Sequence, residues 1–486
     1  MKKDRLAEIV VAGEKILTDA MLQQGERRFG RLSKLFPLRR MGYMIRTVLY
    51  DSYRQIEEIR RIAHETEEMG RHNELSIEGL MALYEKQKRN LLQAISSHGL
   101  QSMFSSFTYI IVGMLIRGKE EGDMSAENLS DIAKVFSHNT TSQHVISADV
   151  PAALYKLAMS IRAEGLTEQF LSAADSLKAL DVISRGSNSA RLLEMFFKMH
   201  GHRGPKELYY DARTWAEDPD LLVHSLKTTL QNYRPDEGVE DVNASRNEDI
   251  IEQLNCKPTG IRRKLMMLMI DQTRRGVAFR EEAKNHLVRT THATRLTLRR
   301  LGQAMFEKGI LPDSSLWIHF TPEELNEVAR TRDAKLIARA YRRKQFAPNF
   351  CNQRYHHVYH GPVIPIDENV QKSYSSIVTL HGTTVCEGCI RGKARVAKNL
   401  EEARQTQPGE ILITRHTDIC WSPFFPIIKG IVTEIGGLLS HGAVVAREYG
   451  LPSLIAVANA TDVFSTGDSV ELNANLGTIS KIAEQQ

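Results

Sequence analysis

The residue best placed to do chemistry in this chain is His441, because of what surrounds it. From Val432 to Pro452 the order is a short apolar stretch, a glycine pair, a short helical pattern, a glycine and a proline. A strand is expected over Ile431 to Ile435, after which Gly436 and Gly437 let the backbone turn tightly and offer N–H groups to an anion. Ser440 reads as a helix N-cap, Gly442 to Tyr449 as the helix, and Gly450 with Pro452 as its stop. His441 then falls in the first helical turn, where the positive end of the helix dipole opposes an imidazolium and favours a bound anion. A neutral imidazole beside a phosphate cradle is a nucleophile suited to accepting a phosphoryl group.

Taken alone, a histidine after a glycine pair is most often an ordinary loop residue. The whole string singles it out. Gly436, Gly437, Ser440, His441, Ala443, Ala446, Arg447, Glu448, Gly450 and Pro452 fall at fixed spacing. Together they resemble the phosphohistidine signature of the mobile, swivelling domain of the PEP-utilising enzymes. That family includes pyruvate phosphate dikinase, phosphoenolpyruvate synthase and rifampicin phosphotransferase. The resemblance implies that His441 takes a phosphoryl group from a nucleotide site and carries it to an acceptor. It also implies that Gly436, Gly437 and Ser440 hold that group, while Arg447 and Glu448 brace the loop or neutralise charge. Leu439 departs from the threonine of the dikinases.

A second motif lies upstream. His200-Gly201-His202-Arg203-Gly204-Pro205-Lys206-Glu207, then Arg213-Thr214-Trp215-Ala216-Glu217-Asp218-Pro219, resembles a segment of the rifampicin phosphotransferase-like proteins and putative phosphoenolpyruvate synthases. In those relatives it belongs to a helical, acceptor-binding domain. Read physically, Arg203 on a glycine-rich turn either clamps a phosphate or carboxylate in two-point fashion or forms a buried structural pair with Glu207. The segment from Asp418 to Pro423, with Trp421, resembles the same branch. The arginines from Arg262 onward, including Arg274, Arg280, Arg289 and Arg295, are expected mostly on solvated helical faces. Thr321, Pro322 and Glu324 have the spacing of a capping box with proline at the first helical position.

The elements that must position these residues define the fold class: an all-helical part followed by a compact β/α swivelling domain. Residues 1–345 read as helix after helix, with Leu80, Leu83, Leu91 and Leu92 in one amphipathic pattern. Residues 346–372 are a proline-containing linker, and 373–486 are the carrier domain. Strands are expected at Gly392 to Val396, Glu410 to Thr414, Ile431 to Ile435, Ser453 to Val457, Ser469 to Asn473 and Gly477 to Ile482. His356, His357 and His360 lack acidic or cysteine partners at ligand spacing, so no metal site is expected. Cys386 and Cys389 have CxxC spacing but read as a surface turn.

Net charge is only +5 over 486 residues, which does not suggest nucleic-acid binding. Residues 366–486 carry 10 Lys and Arg against 13 Asp and Glu, so the basic excess lies upstream. The apolar run from Phe107 to Ile116 stops at Arg117 and is short for a bilayer, and no signal peptide is evident. Five cysteines do not suggest a disulfide framework, and a cytoplasmic setting is expected. No stretch resembles an ATP-grasp domain. The family's reaction implies ATP and Mg²⁺, so these are expected on an ATP-grasp domain in a longer form or on a partner chain. A small-molecule acceptor would sit on the helical part. The resulting expectation is a phosphotransferase component acting through phosphohistidine. The alternative is a non-catalytic interaction protein that keeps the fold.

Overall fold

The computed structural model describes residues 37–71, 76–117, 131–132, 135, 146–183, 185–231, 247–351, 353, 355, 361–362, 364–365, 378–438 and 440–482. His356, His357, His360 and Leu439 lie outside the described residues. By contacts the chain divides into two compact units, Met1–Glu57 and Glu58–Gln486. The candidate site lies in the second, which holds both helices and sheet.

The described helices are α1 (Pro37–Gly70), α2 (Ile77–Arg117), α3 (Ile146–Ala163), α4 (Thr167–Ser172), α5 (Ser176–Asp181), α6 (Asn188–His200), α7 (Asp220–Gln231), α8 (Asn247–Glu252), α9 (Gly260–Glu307), α10 (Pro322–Thr331) and α11 (Ala334–Cys351). The spine is α9, with 48 residues, packed along α2, with 41. Met266, Ile270, Thr273 and Val277 of α9 are buried at helical spacing, which gives it a continuous inward stripe. By length and composition Ile77–Ile116 is apolar enough to cross a membrane; 44% of its most apolar window is buried within the protein. Leu80 and Leu83 point inward, but Leu92 is 58% exposed. Leu92 stands about 100° round the helix from Leu91 and falls on the outer side of the apolar stripe.

One end of this pair closes over an apolar cluster of Leu80, Tyr84, Leu301, Met305, Trp317, Leu325 and Val328. Helix α10 begins with the expected capping box: Glu324 N–H donates to Thr321 Oγ1 at 3.3 Å and Thr321 N–H to Glu324 Oε2 at 3.0 Å. At Gly302 the turn carrying Trp317 comes so close that an added Cβ would lie 2.3 Å from Trp317 Cδ1 and 2.4 Å from Ser314 O. Gly302→Ala must therefore displace backbone as well as a ring, and is expected to cost about 1–3 kcal/mol. Denaturant unfolding checks this, and an unchanged midpoint would contradict the packing described.

Among the described residues, the C-terminal region (the expected carrier domain) holds eight strands: β1 (Thr379–His381), β2 (Thr383–Cys386), β3 (Cys389–Ala397), β4 (Ile411–Thr414), β5 (Gly430–Thr433), β6 (Ser453–Ile455), β7 (Ser469–Asn473) and β8 (Thr478–Lys481). Short helices α12 (Leu400–Ala403), α13 (His441–Glu448) and α14 (Ala460–Val463) connect them. The strand order is β1-β8-β7-β3-β4-β5-β6-β2. β3 to β6 run parallel, and the remaining pairs are antiparallel. β3 serves both halves, pairing with β7 through Cys389–Lys393 and with β4 through Ala394–Ala397. β1 and β2 stand at opposite ends of the order, yet only Gly382 separates them in sequence, so the sheet curls until its ends meet. A side chain at Gly382 would sit 2.5 Å from Val457 Cγ2, which is why glycine occupies the junction.

All six strands expected from sequence form: β7 matches at both ends, and the others have ends shifted by at most three residues. β1 and β2 were not expected. They are three and four residues long and follow each other with only Gly382 between them, with no separate turn signal to mark two strands. Cys386 ends β2 and Cys389 begins β3, and both are free thiols at the turn between them.

Candidate functional site

His441 opens α13, directly after the loop that leaves β5. Gly436 in that loop has φ +154°, a backbone conformation that favours glycine. Ser440 takes the N-cap place, but its side chain makes no capping hydrogen bond. The reason is local: a Cβ built on Gly436 would lie 3.0 Å from Ser440 Oγ, so the hydroxyl sits over the glycine turn rather than over the helix N–H groups. Arg447 Nη2 donates to Leu438 O at 2.6 Å, so this buried arginine holds the histidine loop against its helix. Glu434 Oε1 accepts from Thr461 N–H and Oγ1, both at 2.7 Å, and fixes the start of the same loop.

The His441 ring is 7% exposed, and it does not face water. Its surroundings come from the helical part. Two apolar contacts seat the carrier region there. Ile419 and Cys420 join the cluster of Leu157, Phe196, Trp215 and Leu226, while Leu438 and Ala443 join that of Leu115, Met266 and Ile270. Burial, then Lys284, then Arg203, outweigh Glu281 and Glu207 and push the imidazole pKa down to about 3. The ring is therefore neutral at physiological pH. His441 Nε2 lies 3.4 Å from Ser422 Oγ, and Nδ1 is buried without a hydrogen-bond partner. Ser422 belongs to the 3₁₀ turn Ile419–Phe424, which Asp418 caps by accepting from Cys420 N–H at 3.0 Å.

Facing the ring is the Gly201–Asp218 loop. Arg203 is 1% exposed and Glu207 7%, and Arg203 Nε donates to Glu207 Oε1 at 2.5 Å. Lys284 Nζ of α9 approaches Glu207 Oε2 at 3.3 Å. Burial would raise the Glu207 pKa, but Arg203 and Lys284 prevail and hold it at about 2. His202 Nε2 lies 3.0 Å from Asn285 Oδ1 on the same face of α9. Asp418 reaches across from the carrier region, its Oδ2 accepting from Lys206 N–H at 3.4 Å. The buried pair foreseen as one alternative is thus present, but it sits beside the histidine rather than apart from it.

The α9 arginines are not mainly on solvated faces, contrary to expectation. Arg295 is 1% exposed and donates to Ala212 O at 3.0 Å and Glu207 O at 2.8 Å. Arg299 pairs with Glu217 and donates to Ala212 O at 2.8 Å, and Arg289 makes a two-point pair with Glu67 at 2.7 and 2.6 Å. Arg295 and Arg299 hold the loop in place by donating to its carbonyls, whereas Arg289 ties α9 to α1. Lys284 and Ser422 were not singled out from sequence. Lys284 follows Arg280 by four positions on one helix, and Ser422 fills the variable place between Trp421 and Pro423. Among the described residues no cluster of three or more His, Cys, Asp and Glu side chains is arranged to hold a metal ion.

Residues 406–477 match the PEP-utilising enzyme mobile domain. The sheet region of this chain thus carries the mobile-domain pattern of the PEP-utilising enzymes. Residues 98–281, which carry one wall of the site, match the rifampicin phosphotransferase fourth domain. Rifampicin phosphotransferase of Bacillus subtilis (strain 168) is 28% identical over 351 residues, covering 69% of this chain and 40% of the relative. Its counterpart in Bacillus cereus is 26% identical over 396 residues, covering 77% and 44%, and that of Streptomyces sviceus 27% over 352 residues, covering 69% and 39%. The chain spans about two fifths of the length of these curated relatives.

The buried imidazoles of this chain set an acid limit. His200 is pushed down to about 4 by burial and then Arg203, and His441 to about 3. Above pH 6.5 both are neutral folded and unfolded, and they cost nothing. Below 6.5 the unfolded chain takes up protons that the folded chain refuses, until pH 4 for His200 and 3 for His441. Stability is therefore full above pH 6.5 and falls as pH drops, by up to about 1.4 kcal/mol per unit for each such group. Thermal midpoints should hold level from pH 7.5 to about 6.5 and decline from there to pH 5; a profile flat throughout would show these rings to be solvated.

Proposed function

We propose that this chain is the acceptor and carrier part of a phosphotransferase. His441 takes an ATP-derived phosphoryl group and passes it to a hydroxyl-bearing small molecule held by the helical part. The observation that carries this reading is a neutral, buried imidazole, in the phosphohistidine signature, seated against Arg203 and Lys284 of a helical wall. Neutral imidazole is the nucleophilic form. In the second step the N–P bond breaks and an O–P bond forms to the acceptor hydroxyl. The ring keeps the N–H on its other nitrogen throughout, so the imidazole leaves neutral, and the proton of the acceptor hydroxyl, which attacks from the opposite side of phosphorus, is released to water. Gly436, Gly437 and Ser440 shape the loop that holds the group, and Arg447 braces it, with Glu448 beside Arg447. Phosphorylation of His441 needs ATP and Mg²⁺ on a donor domain, in the same polypeptide or a separate one. Among the described residues no cluster is arranged to hold that metal.

The test is phosphohistidine formation. The chain is incubated with labelled ATP and Mg²⁺, alone and with the ATP-grasp domain of a full-length relative. Acid-labile label at His441 in the presence of the donor domain is expected. No label with a donor of verified activity would instead favour a non-catalytic interaction protein.

A further inference from the structure

Arg203 is anchored at one edge only. Its Nε is committed to Glu207, but Nη1 and Nη2 are both buried and make no hydrogen bond within the protein. A guanidinium is flat, so a bond at Nε leaves the Nη1–Nη2 edge presented as a two-point donor, the geometry that matches two oxygens of a phosphate. Buried donors of a charged group are seldom left without acceptors. The charge on Arg203 is secure: burial works against it, but Glu207 prevails and holds its pKa above the ordinary arginine value. Lys284, 23% exposed on its side chain, supplies a second cation on the same wall, already touching Glu207.

The groups facing this spot come from three elements. α9 contributes Lys284 and the Arg280–Glu281 pair, whose Nη1 and Oε1 are 2.8 Å apart. The loop contributes Arg203, Glu207 and the neutral His202. The carrier region contributes His441, Cys420 and Asp418, and burial and Glu207 raise the Asp418 pKa. Glu207 does not stand open to repel an anion, because each of its oxygens meets a cation.

We propose that the helical wall is a phosphate subsite in its own right, built from the Nη1–Nη2 edge of Arg203 and from Lys284 Nζ, and that it holds a tetrahedral phosphoryl group whether or not that group is bonded to histidine. The inference deepens the carrier reading, on which its role in transfer rests. It makes the wall the receiving side of the transfer, gripping the group's oxygens while the bond to the ring breaks.

Inorganic phosphate binding to the full chain, followed by calorimetry, tests it without any donor domain. The wild type binds phosphate, with sulfate competing and chloride not. Arg203→Lys keeps the charge but loses the flat two-point edge, and weakens binding at least tenfold. Lys284→Met weakens it about fivefold or more, and this partly exposed position decides the matter if Arg203→Lys fails to fold. His441→Ala still binds phosphate, because no donor of the subsite comes from the ring. Absence of binding to the folded wild type, or binding unchanged in the folded Arg203 and Lys284 variants, overturns the subsite. Label at His441 without phosphate binding would sink the subsite and spare the carrier. Phosphate binding without label would do the reverse.

Discussion

Exchanging His441 for alanine should abolish phosphoryl transfer, a loss on the order of 10⁴-fold or more, while the circular dichroism spectrum stays that of the wild type. The size follows from the role. A covalent carrier has no partial substitute, and neighbours that act with it contribute little once it is gone. The nearest other nucleophiles are poor ones. Burial, then Asp418, lift the Cys420 thiol well above its ordinary pKa, so little thiolate is available. Ser422 is buried and has no general base but His441 itself within the contacts described. The measurement is acceptor phosphorylation with a donor domain present. Transfer retained within tenfold of wild type would assign the chemistry elsewhere.

Glu207→Gln is expected to be the most damaging single change to stability near the site. It leaves Arg203 charged, 1% exposed and without its counter-ion, and it deprives Lys284 of the same partner. Breaking a buried pair from one side costs about 3–5 kcal/mol, whereas replacing both partners with apolar groups of similar volume is often near neutral. Denaturant midpoints should therefore fall sharply for Glu207→Gln and recover substantially in the double variant Arg203→Met with Glu207→Leu. A loss below about 1 kcal/mol for the single change would mean that water reaches the pair and screens it.

The carrier region was largely legible in the sequence, because its signals are local. Gly436, Gly437, Gly450 and Pro452 mark turns by their own backbone preferences, and β7 fell where alternation places it. What the sequence did not carry is what depends on the approach of distant segments. Arg295 and Arg289 have the spacing of surface arginines, and nothing local says that one will reach two loop carbonyls and the other Glu67. The side-chain direction of Ser440 was equally hidden, since it depends on the glycine turn four residues earlier. Lys284 gained meaning only when the turn bearing Glu207 was laid across α9. A pairing between Arg203 and Glu207 was readable from their four-residue separation, but its position beside His441, more than 230 residues away, was not.

The single-residue junction at Gly382 bears on how this protein behaves in solution. A carrier that leaves its dock is briefly a small free β structure, and unpaired strand margins invite other chains to add to them. Here the two margins belong to strands of three and four residues that are brought together at one glycine. Neither is long enough to template a growing assembly. If the sheet region leaves the helical wall, as the proposed carrier role requires, its release carries little risk of self-association through backbone pairing.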